Sequence, residues 1–177
     1  MRRALAIAEA SFAADHPAVA TKLNDLARLL KATNRLAEAE PLLRRALTID
    51  EASFGTDHPT VATILNNLAT LLQDTNRLRE AEPLMRRALA IDEASSGADH
   101  PDVARDLNNL AALLKATNRL PEAEQLMRQA LEICIVSHGP EHPNSRTVSR
   151  NYVDLLQGMG RTEEEIEGIL ASLLQRR

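Results

Sequence analysis

Aromatic residues are nearly missing from this chain. There is no tryptophan, and Phe12, Phe54 and Tyr152 are the only rings of that class in 177 residues. Leucine and alanine must therefore supply the core. This favours close helix packing over a sheet, whose strands draw on β-branched and aromatic side chains. Cysteine is reduced to Cys134, so no internal disulfide can form, and the chain suits a reducing, cytoplasmic compartment. The apolar runs are only a few residues long, too short to span a bilayer. A basic excess is missing as well: the net charge is -4, and nothing global points to nucleic acid. What remains is a hydrophobic content of 44% with 26% charged residues, the balance of a folded, water-soluble chain.

What the chain has in abundance is self-similarity. Asp15-His16-Pro17 returns as Asp57-His58-Pro59, Asp99-His100-Pro101 and Glu141-His142-Pro143, each 42 residues after the last. The first two units agree at about 31 of 42 positions, which chance does not produce. Arg2-Arg3-Ala4-Leu5-Ala6-Ile7 matches Arg86-Arg87-Ala88-Leu89-Ala90-Ile91, so the N-terminus reads as the tail of an earlier unit and not as a targeting signal.

Each unit reads as two helices. Val19, Leu23, Leu26, Ala27 and Leu30 form one apolar stripe, and Ala39, Leu42, Leu43, Ala46, Leu47 and Ile49 form the second. Proline opens the first helix, where its missing N–H costs nothing. Asn34, Asn76, Asn118 and Gly160 stand between the helices and tolerate a left-handed backbone. Pro41 and Pro83 fall near the first turn of the second helix and are expected to distort it slightly. Nine helices are expected, at 1–13, 17–32, 36–53, 59–74, 78–95, 101–116, 120–137, 143–158 and 162–175.

His-Pro-x-Val-Ala, Leu-Asn-Asn-Leu-Ala, Asn-Arg-Leu-x-Glu-Ala-Glu and Arg-Arg-Ala-Leu together resemble the tetratricopeptide repeat (TPR), in the 42-residue form of kinesin light chains and bacterial relatives. The resemblance runs over essentially the whole chain. It implies an all-α, right-handed superhelical solenoid of antiparallel helix pairs over residues 1–177. In that frame 1–14 is the second helix of a partial repeat, 15–56, 57–98 and 99–140 are full repeats, and 141–177 is a degenerate capping repeat. The family's small-residue positions fall on Ala27, Ala39 and Ala46. In the last unit Glu165 and Ser172 replace small apolar residues, as a polar cap requires. Leu23, Leu30 and Leu43 stand where the family often has bulky aromatics, so aromatic binding anchors are mostly missing.

Comparing the repeats with one another isolates a variable stripe on the first helix, at 18, 21, 22, 25, 28, 31, 32 and their counterparts. By resemblance this face lines a concave groove. Beside it runs a polar ladder of Asn24, Asn66 and Asn108, followed by Asp25, Asn67, Asn109 and Asn151. Mid-helix asparagine is a mediocre helix former and its recurrence calls for a reason. Two readings stand open: amides that hold a peptide backbone, and amides that bond between repeats and fix their stacking. The presumed groove collects Thr21, Asp25, Arg28 and Lys31, then Thr63, Thr70 and Gln73, then Arg105, Ala112 and Lys115, then Thr147, Arg150, Asp154 and Gln157, beside those asparagines. Its charge is about +3 by count, against -4 for the chain, and charge of one sign in a concavity attracts the other. The expected ligand is an extended acidic peptide, with its carboxylates on Arg105, Lys115 and Arg150.

Chemistry is not signalled. There is no phosphate loop, no Cys-x-x-Cys, no His-Glu-x-x-His and no nucleophile elbow. His16, His58, His100 and His142 lie one repeat apart and cannot converge on a metal, so a structural turn role is expected. His138 reads as solvated, and Cys134, where other units have Asp50 and Asp92, has no catalytic context. The Arg44-Arg45, Arg86-Arg87 and Arg128 positions are interleaved with Glu38, Glu40 and Asp50 and read as a solvated helix face. No enzyme activity, cofactor or metal is expected. The primary expectation is a protein-binding scaffold. The alternative is a structural or oligomerising segment of a larger protein, self-associating through the flank of 1–13 that carries Leu5, Ile7 and Phe12.

Overall fold

A computed structural model describes residues 13–175. Among these residues the chain is all helical, with eight helices and no strand. They are α1 (Pro17–Ala32), α2 (Leu36–Phe54), α3 (Pro59–Asp74), α4 (Leu78–Ser96), α5 (Pro101–Ala116), α6 (Leu120–His138), α7 (Pro143–Gly158) and α8 (Glu163–Leu174). The expected helix at 1–13, with Leu5, Ile7 and Phe12, lies outside the described residues except for Ala13, which is not helical. The chain divides into two compact units, Met1–Ile91 and Asp92–Arg177. In the first, α1 packs on α2, α2 on α3, and α1 also touches α3. In the second, α5 packs on α6, α6 on α7, and α5 touches α7.

The helix starts are set by histidine followed by proline. His16, His58, His100 and His142 each sit at the N-cap in extended conformation, and Nδ1 accepts the N–H of Ala18, Thr60, Asp102 and Asn144. One of the four orphan donors at the helix start is thereby satisfied, and proline at N1 removes another. His138 is exposed, as expected, but it is also stacked on His142 with ring centroids 4.4 Å apart. Phe54 and His58 stack in the same way at 4.6 Å.

The stops between paired helices use asparagine. Asn34, Asn76 and Asn118 have φ of 57°, 59° and 61°. After α1, the Arg35 N–H donates to Leu30 O at 2.8 Å and the Asn34 N–H to Lys31 O at 3.0 Å, the paired bonds of a Schellman turn. Gly160, with φ 81°, closes α7 in the same manner. Gly55, Gly97 and Gly139, also left-handed, end α2, α4 and α6. Pro41 and Pro83 lie inside α2 and α4, and both helices run their full 19 residues through them. Pro41 and Pro83 are exposed, so the carbonyls they leave unbonded can meet water.

The core is leucine and alanine, as composition requires. In the first unit Val61, Ala62 and Leu65 of α3 meet Ala88 and Ile91 of α4 in one buried cluster. The fully buried alanines at 27, 39 and 46 let helices approach closely. Tyr152 is the exception. It is 1% exposed and fills a place that leucine takes in the other repeats, at Leu26, Leu68 and Leu110. Glu165 has a role its substitution pattern did not reveal. Its carboxylate accepts the Thr162 N–H at 2.9 Å while Thr162 Oγ1 accepts the Glu165 N–H at 3.2 Å, a capping box that starts α8. The backbone bond from Thr162 holds the Glu165 carboxyl below its ordinary value.

Candidate functional site

The asparagine ladder resolves into pairs. Asn67 Nδ2 donates to Asn24 Oδ1 at 2.8 Å in the first unit, and Asn151 Nδ2 donates to Asn108 Oδ1 at 2.9 Å in the second. Each bond joins the first helices of consecutive repeats, and all four residues are half-buried. The inter-repeat reading therefore has a geometry for these four side chains. Each amide can still form further hydrogen bonds, because one bond uses only part of its donor and acceptor capacity. Asn66, by contrast, is only 5% exposed and lies below the surface. Asn109 is half-buried.

The basic residues divide by what they touch. Arg105 is exposed, but its guanidinium meets three carboxylates: Asp102 at 2.8 Å, Asp92 at 3.1 Å and Asp106 at 3.1 Å. It thereby ties its own helix to the preceding second helix. Lys115 is bound to Asp154 and Lys31 to Asp74, the latter at 3.2 Å. Arg28 and Arg150 are exposed and, among the described residues, form no ion pair or hydrogen bond. Of the five cations expected in the groove, these two have donors open to a ligand.

Arg28 stands at a cavity of about 270 Å³ in the first unit, together with Lys31, Asn67 and Thr70. Leu43 and Ala27 supply its apolar floor. Thr70 is half-buried, as is Gln73 one turn further along α3. Thr21, Thr63 and Thr147 bond back to the carbonyls of Pro17, Pro59 and Pro143. Arg150 stands at a different cavity, in the second unit, beside Ser149 and Arg146. Arg28, Lys31, Asn67 and Thr70 thus share one cavity, and Arg150 lines another.

Around Arg105 lies a cluster that sequence reasoning missed. Asp92 and Asp106 are 5% and 1% exposed. Burial pushes both carboxyls above their ordinary values, Asp106 up to about 7, against the pull of Arg105. Asp50 occupies the corresponding place in the first unit; burial raises it too, while Thr60 and His58 oppose the rise. The recurrence of Asp50 and Asp92 at the same place, each directly after an isoleucine, was the available signal. In the third repeat the position is Cys134, whose thiol burial also pushes up and whose carbonyl accepts Ser145 Oγ at 3.1 Å. No group of three or more potential metal ligands occurs among the described residues.

The recurring Asn-Arg-Leu-x-Glu-Ala-Glu motif proves to be structural. Arg35, Arg77 and Arg119 each fork onto the glutamate three residues on, at 2.5–2.7 Å. Arg77 also reaches Glu40 at 2.7 Å, and Arg44 holds Glu40 from its own helix at 2.7 Å. Burial raises the Glu40 carboxyl, but the two arginines outweigh it and hold the group below its ordinary value.

Comparison with known proteins agrees with this architecture. No curated protein matches the sequence. Among solved structures, the nearly identical TPR-like repeats of a kinesin light chain-like protein from Podosopora anserina superpose with a TM-score of 0.77 at 23% identity, over 99% of this chain and 86% of that one. A variant of the same protein gives 0.79 at 23% identity, over 97% and 81%. BtubC (BKLC) from P. vanneervenii gives 0.81 at 22% identity, over 99% of this chain and 72% of that one. At such identities the likeness speaks for the fold. The tetratricopeptide repeat profile matches residues 1–52, 35–94, 60–135 and 107–167. Repeats of this kind generally mediate protein–protein interaction, and this chain belongs to the tetratricopeptide repeat family.

Proposed function

We propose that the chain is a non-catalytic scaffold that binds an extended segment of a partner protein across the exposed faces of α1 and α3, with an acidic side chain of the partner on Arg28. The observation that carries this reading is the state of Arg28: exposed, without an intramolecular partner among the described residues, and set beside Lys31, Asn67 and Thr70 at a cavity with an apolar floor. A guanidinium in that position offers paired donors to a carboxylate. Asn67 retains amide capacity beyond its bond to Asn24 and can meet the partner's backbone. The carboxylate contacts first assigned to Arg105 and Lys115 pass to Arg28, because those two side chains already hold internal acids. With no aromatic anchor the affinity is modest, on the order of micromolar.

Fluorescence anisotropy with acidic and basic peptide libraries tests the proposal. The acidic library binds the wild type, Arg28→Glu reduces the preference at least severalfold, and Lys115→Ala leaves it intact. Equal binding of both libraries, or indifference to Arg28→Glu, would end the acidic-partner reading.

A further inference from the structure

The second unit holds the larger cavity, about 480 Å³, a size that admits a ligand or a side-chain cluster. α6 contributes Leu131 and Ile135, α8 contributes Leu170 and Leu174, and α7 contributes Ser149 and Arg150. Leu174, the last residue of α8, is 45% exposed.

The repeat register explains why a cavity exists here. In the second repeat, Val61, Ala62 and Leu65 are covered by Ala88 and Ile91. Eighty-four residues on, these five places read Ser145, Arg146, Ser149, Ser172 and Gln175. Serine at 149, in the place of Leu65, fills less space, so room remains beside α7, and the chemistry there has changed from apolar to polar and cationic.

Two of the polar groups are already engaged. Ser145 Oγ donates to the carbonyls of Cys134 and Gly139, at 3.1 and 2.7 Å. Arg146 is paired with Glu141 at 2.9 Å. Arg150 is exposed and has no such partner among the described residues. An occupant must then combine an apolar face, for Leu170 and Leu174, with a carboxylate for Arg150.

We infer that this cavity is a second docking site, which takes a short amphipathic helix of a partner protein with apolar side chains on Leu170 and Leu174 and an acidic side chain on Arg150. Anchors one turn apart on such a helix match the pair of leucines four apart on α8. The site is built from residues of the second unit alone and shares none with the cavity at Arg28.

The test uses the full chain and a labelled alanine-based peptide of about 15 residues, long enough to be partly helical. Leucines four apart form its apolar face, with glutamates on the flank, and a second version carries lysines instead. The glutamate peptide is expected to bind in the micromolar range and at least about tenfold more tightly than the lysine peptide. Arg150→Glu should abolish that preference, Leu174→Ser should weaken binding, and Arg28→Glu should change neither. Circular dichroism confirms that these exposed-site variants keep their helix content. No binding, equal binding of both peptides, or sensitivity to Arg28→Glu in place of Arg150→Glu overturns the inference. So does Arg150-dependent self-association of the chain that displaces the peptide, which would make a second copy the occupant.

Discussion

At the residue scale the polar groups sort by whether they have an internal partner. The Asn24–Asn67 and Asn108–Asn151 bonds are neutral and half-buried, so each is worth about 1 kcal/mol net. A double-mutant cycle on Asn24→Ala and Asn67→Ala should return a coupling of about that size by chemical denaturation. Zero coupling would leave the ladder without a stacking role. The buried acids around Arg105 predict a pH effect of defined sign. Asp106 titrates near 7 in the folded chain, against an ordinary 3.8. A group raised in this way contributes stability that is fully present below the ordinary carboxylate range and lost as pH climbs through about 7. Asp106→Asn removes this loss. Relative to wild type, its melting temperature should be more favourable at about pH 8 than at about pH 4, and a pH-independent difference would contradict the assignment. Asp92, whose carboxyl burial also raises, shares these surroundings and contributes to the wild-type profile with the same sign.

At the scale of the helix, starts and stops were legible because they repeat. His-Pro marks every first helix, and the asparagine between helices appears where a left-handed residue is needed. Four helices, 17–32, 59–74, 101–116 and 143–158, coincide with the sequence reading; α2, α4 and α6 run one residue further than expected, and α8 is one residue shorter at each end. Asn118→Gly should be nearly neutral, because glycine accepts φ 61° freely, whereas Asn118→Val should cost about 1–3 kcal/mol by thermal or denaturant unfolding. Equal stability of the two variants would mean that the turn does not need its left-handed residue. Side-chain partners were less legible. The sequence places Arg105 on a variable stripe, but nothing in its spacing says that Asp92, thirteen residues back on α4, lies within 3.1 Å of it. The bond between Asn24 and Asn67 and the bond from Arg77 to Glu40 likewise depend on contact between repeats. Glu165 reads as a polar replacement, and only its reciprocal bonding with Thr162 reveals the cap.

At the scale of the whole molecule, a chain of net charge -4 leaves Arg28, Arg79 and Arg150 without internal ion pairs among the described residues. Two of these three stand at cavities, which is what directs the functional reading toward acidic partners. Such contacts should weaken with salt, since screening shortens to roughly 8 Å at physiological ionic strength. Family membership was legible from the repeat alone, because 42-residue units with small residues at fixed places can fold in few ways. The binding surface was legible only in part. The composition of the stripe indicated cations, whereas internal acids decide which of them are open to a ligand. The most direct test of the central claim is chemical-shift mapping on the isotope-labelled chain during titration with the acidic peptide library. The account predicts that the largest changes gather at Arg28, Lys31, Asn67 and Thr70 and disappear in Arg28→Glu. Changes confined to the outer faces of α2 and α4, or none at all, would contradict it.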